Sequence, residues 1–231
     1  MSSLADSPAP ARTRAVLGVS PAHLWTLLAG AALCVAAAVV GELRFGSSLY
    51  LFADVKDKPG AFQGSMTALS GFLLVAGAVL LLRAGELLRR QGDPAARGFV
   101  GAALLLAVLA FDEVVMLHEW FADKCAALQL PRPLGIDHDL YVFAVYGLWA
   151  LLCGFVMLPT LLRHRDAAAV LGLMVLFAAA SEAVDFVPWD SLSIGQRAWL
   201  GPVEEGAKFL ATLTGALYAH ALLDAVERRR S

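Results

Sequence analysis

Residues 99–121 read FVGAALLLAVLAFDEVVMLHEWF, an apolar stretch that carries four ionisable side chains near its end, Asp112, Glu113, His118 and Glu119. A helix that rises about 1.5 Å per residue needs about 20 apolar residues to cross a hydrocarbon core of about 30 Å. Five further stretches of this kind predict spans at 23–43, 66–84, 139–162, 167–187 and 203–225. We therefore predict an all-α, polytopic membrane bundle of six transmembrane helices.

The composition of the whole chain agrees with a membrane protein. Of its 231 residues, 59% are hydrophobic, and the mean hydropathy is +0.68. A soluble domain usually has about 45–50% apolar residues. The connections between spans are too short for a soluble domain. We predict one transmembrane domain at 23–225, with an N-terminal tail at 1–22 and a basic C-terminal tail at 226–231.

Arginine residues fall in alternate connections of the predicted bundle. They are Arg12, Arg14, Arg83, Arg89, Arg90, Arg97, Arg163, Arg165, Arg228, Arg229 and Arg230. Loops on the cytoplasmic side of a membrane carry an excess of basic residues. Both termini are therefore predicted to be cytoplasmic, with the protein in the inner (plasma) membrane. The lipid bilayer is the expected partner, and nucleic acid is not, because there is no basic face with interleaved aromatic residues.

Ionisable side chains are concentrated in the outer half of the bundle. A charge near the middle of a span costs at least about 2.5–3.5 kcal/mol, so such groups face the interior and indicate a functional site. One set lies roughly 20–22 Å from the cytoplasmic ends when counted along the helices, namely Asp112, Glu113, Glu182 and Lys208. A second set lies roughly 5–8 Å further out, namely Glu42, His118, Glu119, His138, Asp139, Asp185, Glu204 and Glu205.

Histidine and carboxylate side chains that converge inside a helix bundle are typical of divalent metal sites. We expect zinc, iron or manganese, with His118, Glu119, Asp185 and Glu204 as the metal ligands. Glu113, Glu205 and His138 are expected to support this site. The spacing itself is not specific, because no ExxH or HExxH motif occurs in the cluster.

A metal in this position favours hydrolysis. The metal would lower the pKa of a bound water, and a nearby carboxylate would accept its proton. Asp112 or Glu182 is expected to be that base, and Lys208 is expected to pair with Glu113 or to stabilise an oxyanion. A site just below the outer surface suits a lipid or lipid-linked substrate that enters from the membrane.

Two other functions use the same residues. Carboxylates inside membranes also form proton or cation relays in transport proteins. A buried polar network can also simply hold helices together through interhelical hydrogen bonds, which are worth about 0.6 kcal/mol each. The cytoplasmic half of the bundle offers few polar residues, which favours a one-sided pocket over a conduit.

Two segments carry a resemblance to known proteins, DEVVMLHE at 112–119 and VEEGAKFL at 203–210. They resemble a group of uncharacterised bacterial multi-pass membrane proteins with a DE-x4-HE helix and a late helix that begins with paired glutamates. This likeness implies a bacterial inner membrane and no established activity. The chain is only loosely similar to the ceramidase-like membrane metallohydrolases, whose paired late histidines it lacks. That second likeness implies a lipid-accessible hydrolytic metal site, without any carried-over residue.

Overall fold

The computed structural model describes residues 19–52, 63–132, 138–163, 165–185, 187 and 192–228. This part of the chain is all-α, with helices α1 (Pro21–Phe45), α2 (Ser65–Arg90), α3 (Ala96–Val115), α4 (Leu117–Ala127), α5 (Asp139–Arg163), α6 (Arg165–Asp185) and α7 (Ile194–Arg228). All except α4 are long and apolar enough to cross a membrane. The prediction of a membrane protein with six apolar spans is confirmed at this level.

The helices pack around the pair α2 and α7. Helix α2 contacts α3 and α7, while α5 packs on α3, and α1 and α6 pack on α7. Glycines allow α3 and α5 to approach closely, since a Cβ atom at Gly98 would lie 2.7 Å from Cγ of Met157. Small residues at such crossings are typical of membrane bundles, where close backbone packing replaces the hydrophobic driving force.

Most of the buried apolar side chains form one cluster at one end of the bundle. Leu88 near the end of α2, Phe99 near the start of α3, Ala167 near the start of α6 and Val226 near the end of α7 all belong to it, together with Val19 before α1. The connections that carry the arginine residues therefore meet at the same end. This arrangement follows directly from six spans that alternate in direction.

The third span differs from its prediction. We predicted one helix at 99–121, whereas α3 begins at Ala96 and ends at Val115, and α4 begins after Met116. Met116 has a left-handed backbone, with φ 58° and ψ 45°. The break follows from a competing hydrogen bond, because the Asp112 carboxylate accepts from the backbone N–H of His118 at 2.8 Å. Aspartate side chains often compete with helical hydrogen bonds in this way.

The last helix is longer than its prediction of 203–225, because it begins at Ile194. Ser193 and Gln196 form a reciprocal cap in which Gln196 Oε1 accepts from the Ser193 amide at 2.9 Å, and Ser193 Oγ accepts from the Gln196 amide at 3.3 Å. A cap of this kind satisfies donors that a helix start leaves unpaired. The helix then runs through Pro202, which lies just before the predicted start at residue 203.

Pro202 is accommodated by a contact with another segment. Proline has no N–H, so the carbonyl four residues earlier, that of Ala198, lacks its helical donor. Ser48, in the turn after α1, donates its hydroxyl to the Ala198 carbonyl at 3.1 Å. The helix can therefore continue through the proline without leaving this carbonyl unsatisfied.

Candidate functional site

A polar pocket lies at the end of the bundle opposite the arginine-bearing connections. Its volume is about 420 Å³. The end of α3, the helix α4, the start of α5 and the first part of α7 form its walls, through Glu113, Met116, His118, Glu119, Ala122, Asp123, Ala126, Asp139, Glu204, Glu205 and Lys208. Residues that are distant in sequence thus converge on one concave, acidic surface.

The break at Met116 sets the position of His118. Oδ1 of Asp112 lies 2.8 Å from the His118 backbone nitrogen and 3.0 Å from its Nδ1. Asp112 is only 3% exposed, so this carboxylate lies behind the pocket while the His118 ring lines it. An ionised carboxylate can only accept hydrogen bonds. The contact between Oδ1 and Nδ1 orients the His118 ring, and an ionised Asp112 would accept from a proton on that nitrogen.

A second helix also positions the histidine. Phe143 of α5 packs against the His118 ring with a centroid distance of 5.5 Å. One turn further along α5, Tyr146 lies close enough to Asp112 to interact with its carboxylate. The ring and the carboxylate are thus both approached from α5. Sequence analysis missed both aromatic residues, because neither differs in type or spacing from an ordinary apolar residue of a span.

The pocket wall has an excess of negative charge. Glu113, Glu119, Asp123, Asp139, Glu204 and Glu205 are the acidic residues that line it, and Lys208 is the lysine among the lining residues. Lys208 Nζ lies 3.0 Å from Oε1 of Glu205, and its charge also interacts with those of Glu113 and Glu204. Glu204 itself is buried, at 9% exposure. Carboxylates at this density favour a bound cation or shared protons.

The structure brings several of the predicted site residues together in this pocket. His118, Glu119, Glu204, Glu205, Glu113 and Lys208 line one pocket. The supporting set of the prediction is split by the structure, since Glu113 and Glu205 are lining residues and His138 is not. Asp139, which the sequence analysis placed in the outer set without a specific role, also lines the pocket, as does Asp123, which it placed in neither set.

Other predicted residues lie elsewhere. Asp112 is behind the pocket wall rather than in it, and Glu182 is exposed on α6 and does not line the pocket. His138 is buried, and its Nε2 lies 2.9 Å from the Leu130 carbonyl oxygen. Asp185 ends α6, but its side chain lies outside the described residues.

The predicted metal ligands are not assembled as a coordination shell. Across the described ranges, no group of three His, Cys, Asp or Glu side chains has the arrangement needed to hold a metal ion. His118, Glu119 and Glu204 share the pocket. What the geometry provides is one oriented imidazole facing a wall of carboxylates.

Comparison with known proteins places the chain in a family. No curated protein matches it, and no solved structure matches it. One family model, described as a domain of unknown function (DUF8692), matches residues 26–222. This match is consistent with the resemblance to uncharacterised proteins, and no similarity to ceramidase-like enzymes is found. Because the matched region covers most of the chain, this membrane protein belongs to the DUF8692 family.

Proposed function

We propose that this protein binds a divalent metal in its acidic pocket and uses it to hydrolyse a lipid or lipid-linked substrate. The observation that carries the proposal is the Asp112–His118 pair. Histidines that bind metals almost always donate their other ring N–H to a carboxylate or carbonyl, which fixes the ring and its tautomer. Asp112 is within hydrogen-bonding distance of Nδ1, so Nε2 is the nitrogen that would bind the metal.

Carboxylates of the pocket wall would complete the metal site. Glu119, next to His118, and the buried Glu204 of α7 are the proposed partners, as in the sequence-based prediction. Asp185 is the fourth proposed ligand. Because these side chains are not already assembled, binding requires Glu119 and Glu204 to change rotamer. An imidazole combined with carboxylates suits zinc, iron or manganese.

The proposed chemistry is attack by a metal-activated water. The metal would supply a water whose pKa is near 7, and a carboxylate of the wall would accept its proton. Glu113 and Asp139 line the same pocket and are available for this step. Lys208 lies between carboxylates of α7 and α3. In this proposal Lys208 limits the repulsion between them and stabilises a developing oxyanion.

The proposed substrate class follows from the surroundings of the pocket. Leu117 and Phe121 lie on the other side of α4 and are exposed. Together with Val142 and Val145 of α5 they line an apolar cavity of about 470 Å³. A molecule with a polar head and an apolar tail therefore finds suitable surfaces on both sides of α4. We also propose that the pocket opens on the outer face of the inner membrane, with both termini in the cytoplasm.

The first experiment is metal analysis of the purified protein after dialysis against Zn²⁺ or Mn²⁺. We expect about one metal ion per chain in the wild type, and loss of that metal in His118→Ala and Glu204→Gln. Glu182→Gln is the matched control, because Glu182 is an acidic residue of the same outer half that does not line the pocket. Stoichiometric metal in His118→Ala would contradict the proposed site.

The second experiment tests catalysis separately. Reconstituted protein is incubated with a panel of ester- and amide-linked lipids, with and without the metal that the first experiment identifies. We expect hydrolysis that requires the metal and falls at least about a hundredfold in Glu204→Gln, because the ligand set would be incomplete. If the protein binds metal but hydrolyses no lipid, the proposed metal site stands and the proposed reaction is contradicted.

A further inference from the structure

Two cavities lie beside α2 and α3 at the arginine-bearing end of the bundle, opposite the acidic pocket. The walls of one, with a volume of about 410 Å³, include Arg83, Arg89 and Val100. The walls of the other, with a volume of about 650 Å³, include Arg89, Arg97 and Val100. Because Arg89 and Val100 line both, the two cavities adjoin, and we call them together the arginine groove. We propose that this groove binds an anionic phospholipid, with the phosphate headgroup on the arginines and an acyl chain along α2 and α3.

The three arginine side chains of the groove are exposed to a ligand. Across the part of the chain that the structure describes, their guanidinium groups take part in no hydrogen bond and no ion pair, although Arg83 and Arg89 lie within electrostatic range of Glu86. A guanidinium group can hold phosphate oxygens through two parallel hydrogen bonds. Basic pockets between transmembrane helices are accordingly typical binding sites for anionic lipid headgroups.

Two acidic residues also line the groove, but they do not cancel its positive charge. Glu86 accepts a hydrogen bond from Arg90, which lines neither cavity, so these two charges offset each other. Asp93 lies in the turn between α2 and α3, and its Oδ1 accepts from the Ala95 amide at 2.9 Å. The three arginines outnumber this remaining carboxylate, so the groove favours an anion over a cation.

Exposed apolar side chains continue the groove toward the middle of the bundle. On α2, Val79 is 59% exposed and lies one turn before Leu82, which lines the groove. On α3, Leu104 is 51% exposed and lies one turn after Val100. Residues three or four apart share one face of a helix, so both side chains extend the groove away from the arginines. A phospholipid matches this surface along its length, whereas a soluble phosphate would leave the apolar part uncovered.

Close packing at Gly85 holds the two helices of the groove together. A Cβ atom at this position would lie 3.1 Å from Cβ of Phe99 and 3.3 Å from Cγ2 of Val100. The backbones of α2 and α3 therefore approach closely at the level of the groove, where Gly85 also lines the smaller cavity. Arginines of two helices are thus brought together by the fold, and the site is not simply one basic loop.

Native mass spectrometry of the detergent-purified protein, with equal amounts of phosphatidylglycerol and phosphatidylcholine of the same acyl chains, tests the proposal. We expect the wild type to retain one phosphatidylglycerol in preference to phosphatidylcholine. Arg89→Gln should lower this preference about fivefold, because each basic residue near an anionic lipid contributes about that factor to binding. Arg228→Gln should leave it unchanged and is the control, because Arg228 lies at the same end, pairs with Asp224 and lines neither cavity.

A substitution without a change of charge separates a shaped groove from a surface that is only basic. Val100→Trp should fill the wall that both cavities share and abolish retention of phosphatidylglycerol, although every arginine remains. Val175→Trp is the matched control, because Val175 is an exposed residue of α6 that lines neither cavity. Wild-type retention in Val100→Trp, or an unchanged lipid preference in Arg89→Gln, would overturn the proposal.

Glycerol phosphate, which carries a phosphate ester without acyl chains, is then added in excess to the lipid-bound protein. We expect phosphatidylglycerol to stay bound, because the soluble compound does not cover the apolar part of the groove. Displacement of the lipid would assign the groove to a soluble phosphate and contradict the lipid proposal, as would a wild type that retains neither lipid. None of these outcomes affects the proposed metal site, since the two sites lie at opposite ends of the bundle.

Discussion

At the scale of single residues, Met116 determines the geometry of the candidate site. Its left-handed backbone, with φ 58°, ends α3 and lets α4 begin at Leu117. A residue other than glycine in this conformation costs roughly 1–2 kcal/mol. The hydrogen bond that the Asp112 carboxylate accepts from the His118 amide, and its contact with the His118 ring, offset part of this cost. The strain lies beside the one histidine that lines the pocket, as is common at functional sites.

A glycine at this position tests the break directly. In a left-handed position, Met116→Gly should leave the free energy of unfolding unchanged or raise it by up to about 1 kcal/mol. In a continuous helix the same change would lower it by about 1 kcal/mol. Met116→Val should lower it, because β-branched residues tolerate positive φ poorly. Unfolding by SDS in mixed micelles gives the free energy of unfolding of the wild type and of both variants. Equal destabilisation by Met116→Gly and Met116→Val would contradict a left-handed break at this residue.

Lys208 provides the second prediction at this scale. Its ammonium is bonded to Glu205 at 3.0 Å and interacts with Glu113 and Glu204. Removing one positive charge from this wall leaves more negative potential for an added cation. Lys208→Met should therefore bind Mn²⁺ about tenfold more tightly than the wild type.

The measurement is the shift in thermal unfolding with increasing Mn²⁺. Lys124→Met is the control, because Lys124 lies over the Trp120 ring on α4 and does not line the pocket. Equal Mn²⁺ affinity in the wild type and Lys208→Met would show that Lys208 does not offset the negative charge of the pocket wall.

At the scale of the helices, breaks and extensions depend on contacts with other segments. The third span is broken by the Asp112 contacts, and α7 continues through Pro202 while Ser48 satisfies the Ala198 carbonyl. These two differences from the predicted helices are opposite in kind, because one ends a helix early and the other lets a helix continue. In the first, a side chain replaces the helical bonding pattern. In the second, a side chain from another segment repairs that pattern where proline has removed a donor.

A double-mutant cycle tests the repair at Pro202. Ser48→Ala should lower the free energy of unfolding by about 0.5–1.5 kcal/mol, because the Ala198 carbonyl then loses its donor. In a Pro202→Ala background the amide of residue 202 can bond that carbonyl instead. Ser48→Ala should then cost much less, giving a coupling energy of at least about 0.5 kcal/mol. If the two substitutions have additive effects on the free energy of unfolding, the Ser48 hydroxyl does not replace the donor that Pro202 lacks.

At the scale of the whole molecule, two properties separate the ends of the bundle. One end gathers the arginine-bearing connections around the large apolar cluster, and the other carries the acidic pocket. The excess of basic residues at one end predicts that this end faces the cytoplasm. In this proposed orientation the pocket would face outward, where ions and lipids of the outer leaflet would reach it.

Cysteine labelling in intact cells tests this orientation. The native residues Cys34, Cys125 and Cys153 are buried and are first replaced by alanine. Single cysteines are then introduced as Asp123→Cys on α4 and Gln91→Cys after α2, both at exposed positions. A membrane-impermeant maleimide should label the Asp123→Cys variant in intact cells and the Gln91→Cys variant only after permeabilisation. The reverse pattern would place the pocket in the cytoplasm.

The candidate site was only partly predictable from sequence. His118 and Glu119 lie next to each other along the chain, so a count of helical rise placed both in the same outer set. The prediction also treated 99–121, which includes Asp112 and His118, as one continuous helix. The break at Met116 instead brings Asp112 to His118. Glu182 is exposed on α6, because the rotation of that helix about its axis depends on how it packs against α7.

The sequence by itself determined that the chain is a membrane protein with six apolar helices. Span length and hydropathy are local properties, and the cost of unpaired backbone groups in lipid leaves the helix as the available structure for each span. Only the tertiary structure decided where a helix breaks and which side chains meet. Those features arise from contacts such as Asp112–His118, Phe143–His118 and Ser48–Ala198. Each joins residues on separate elements, and their pairing has no periodic signal in the sequence.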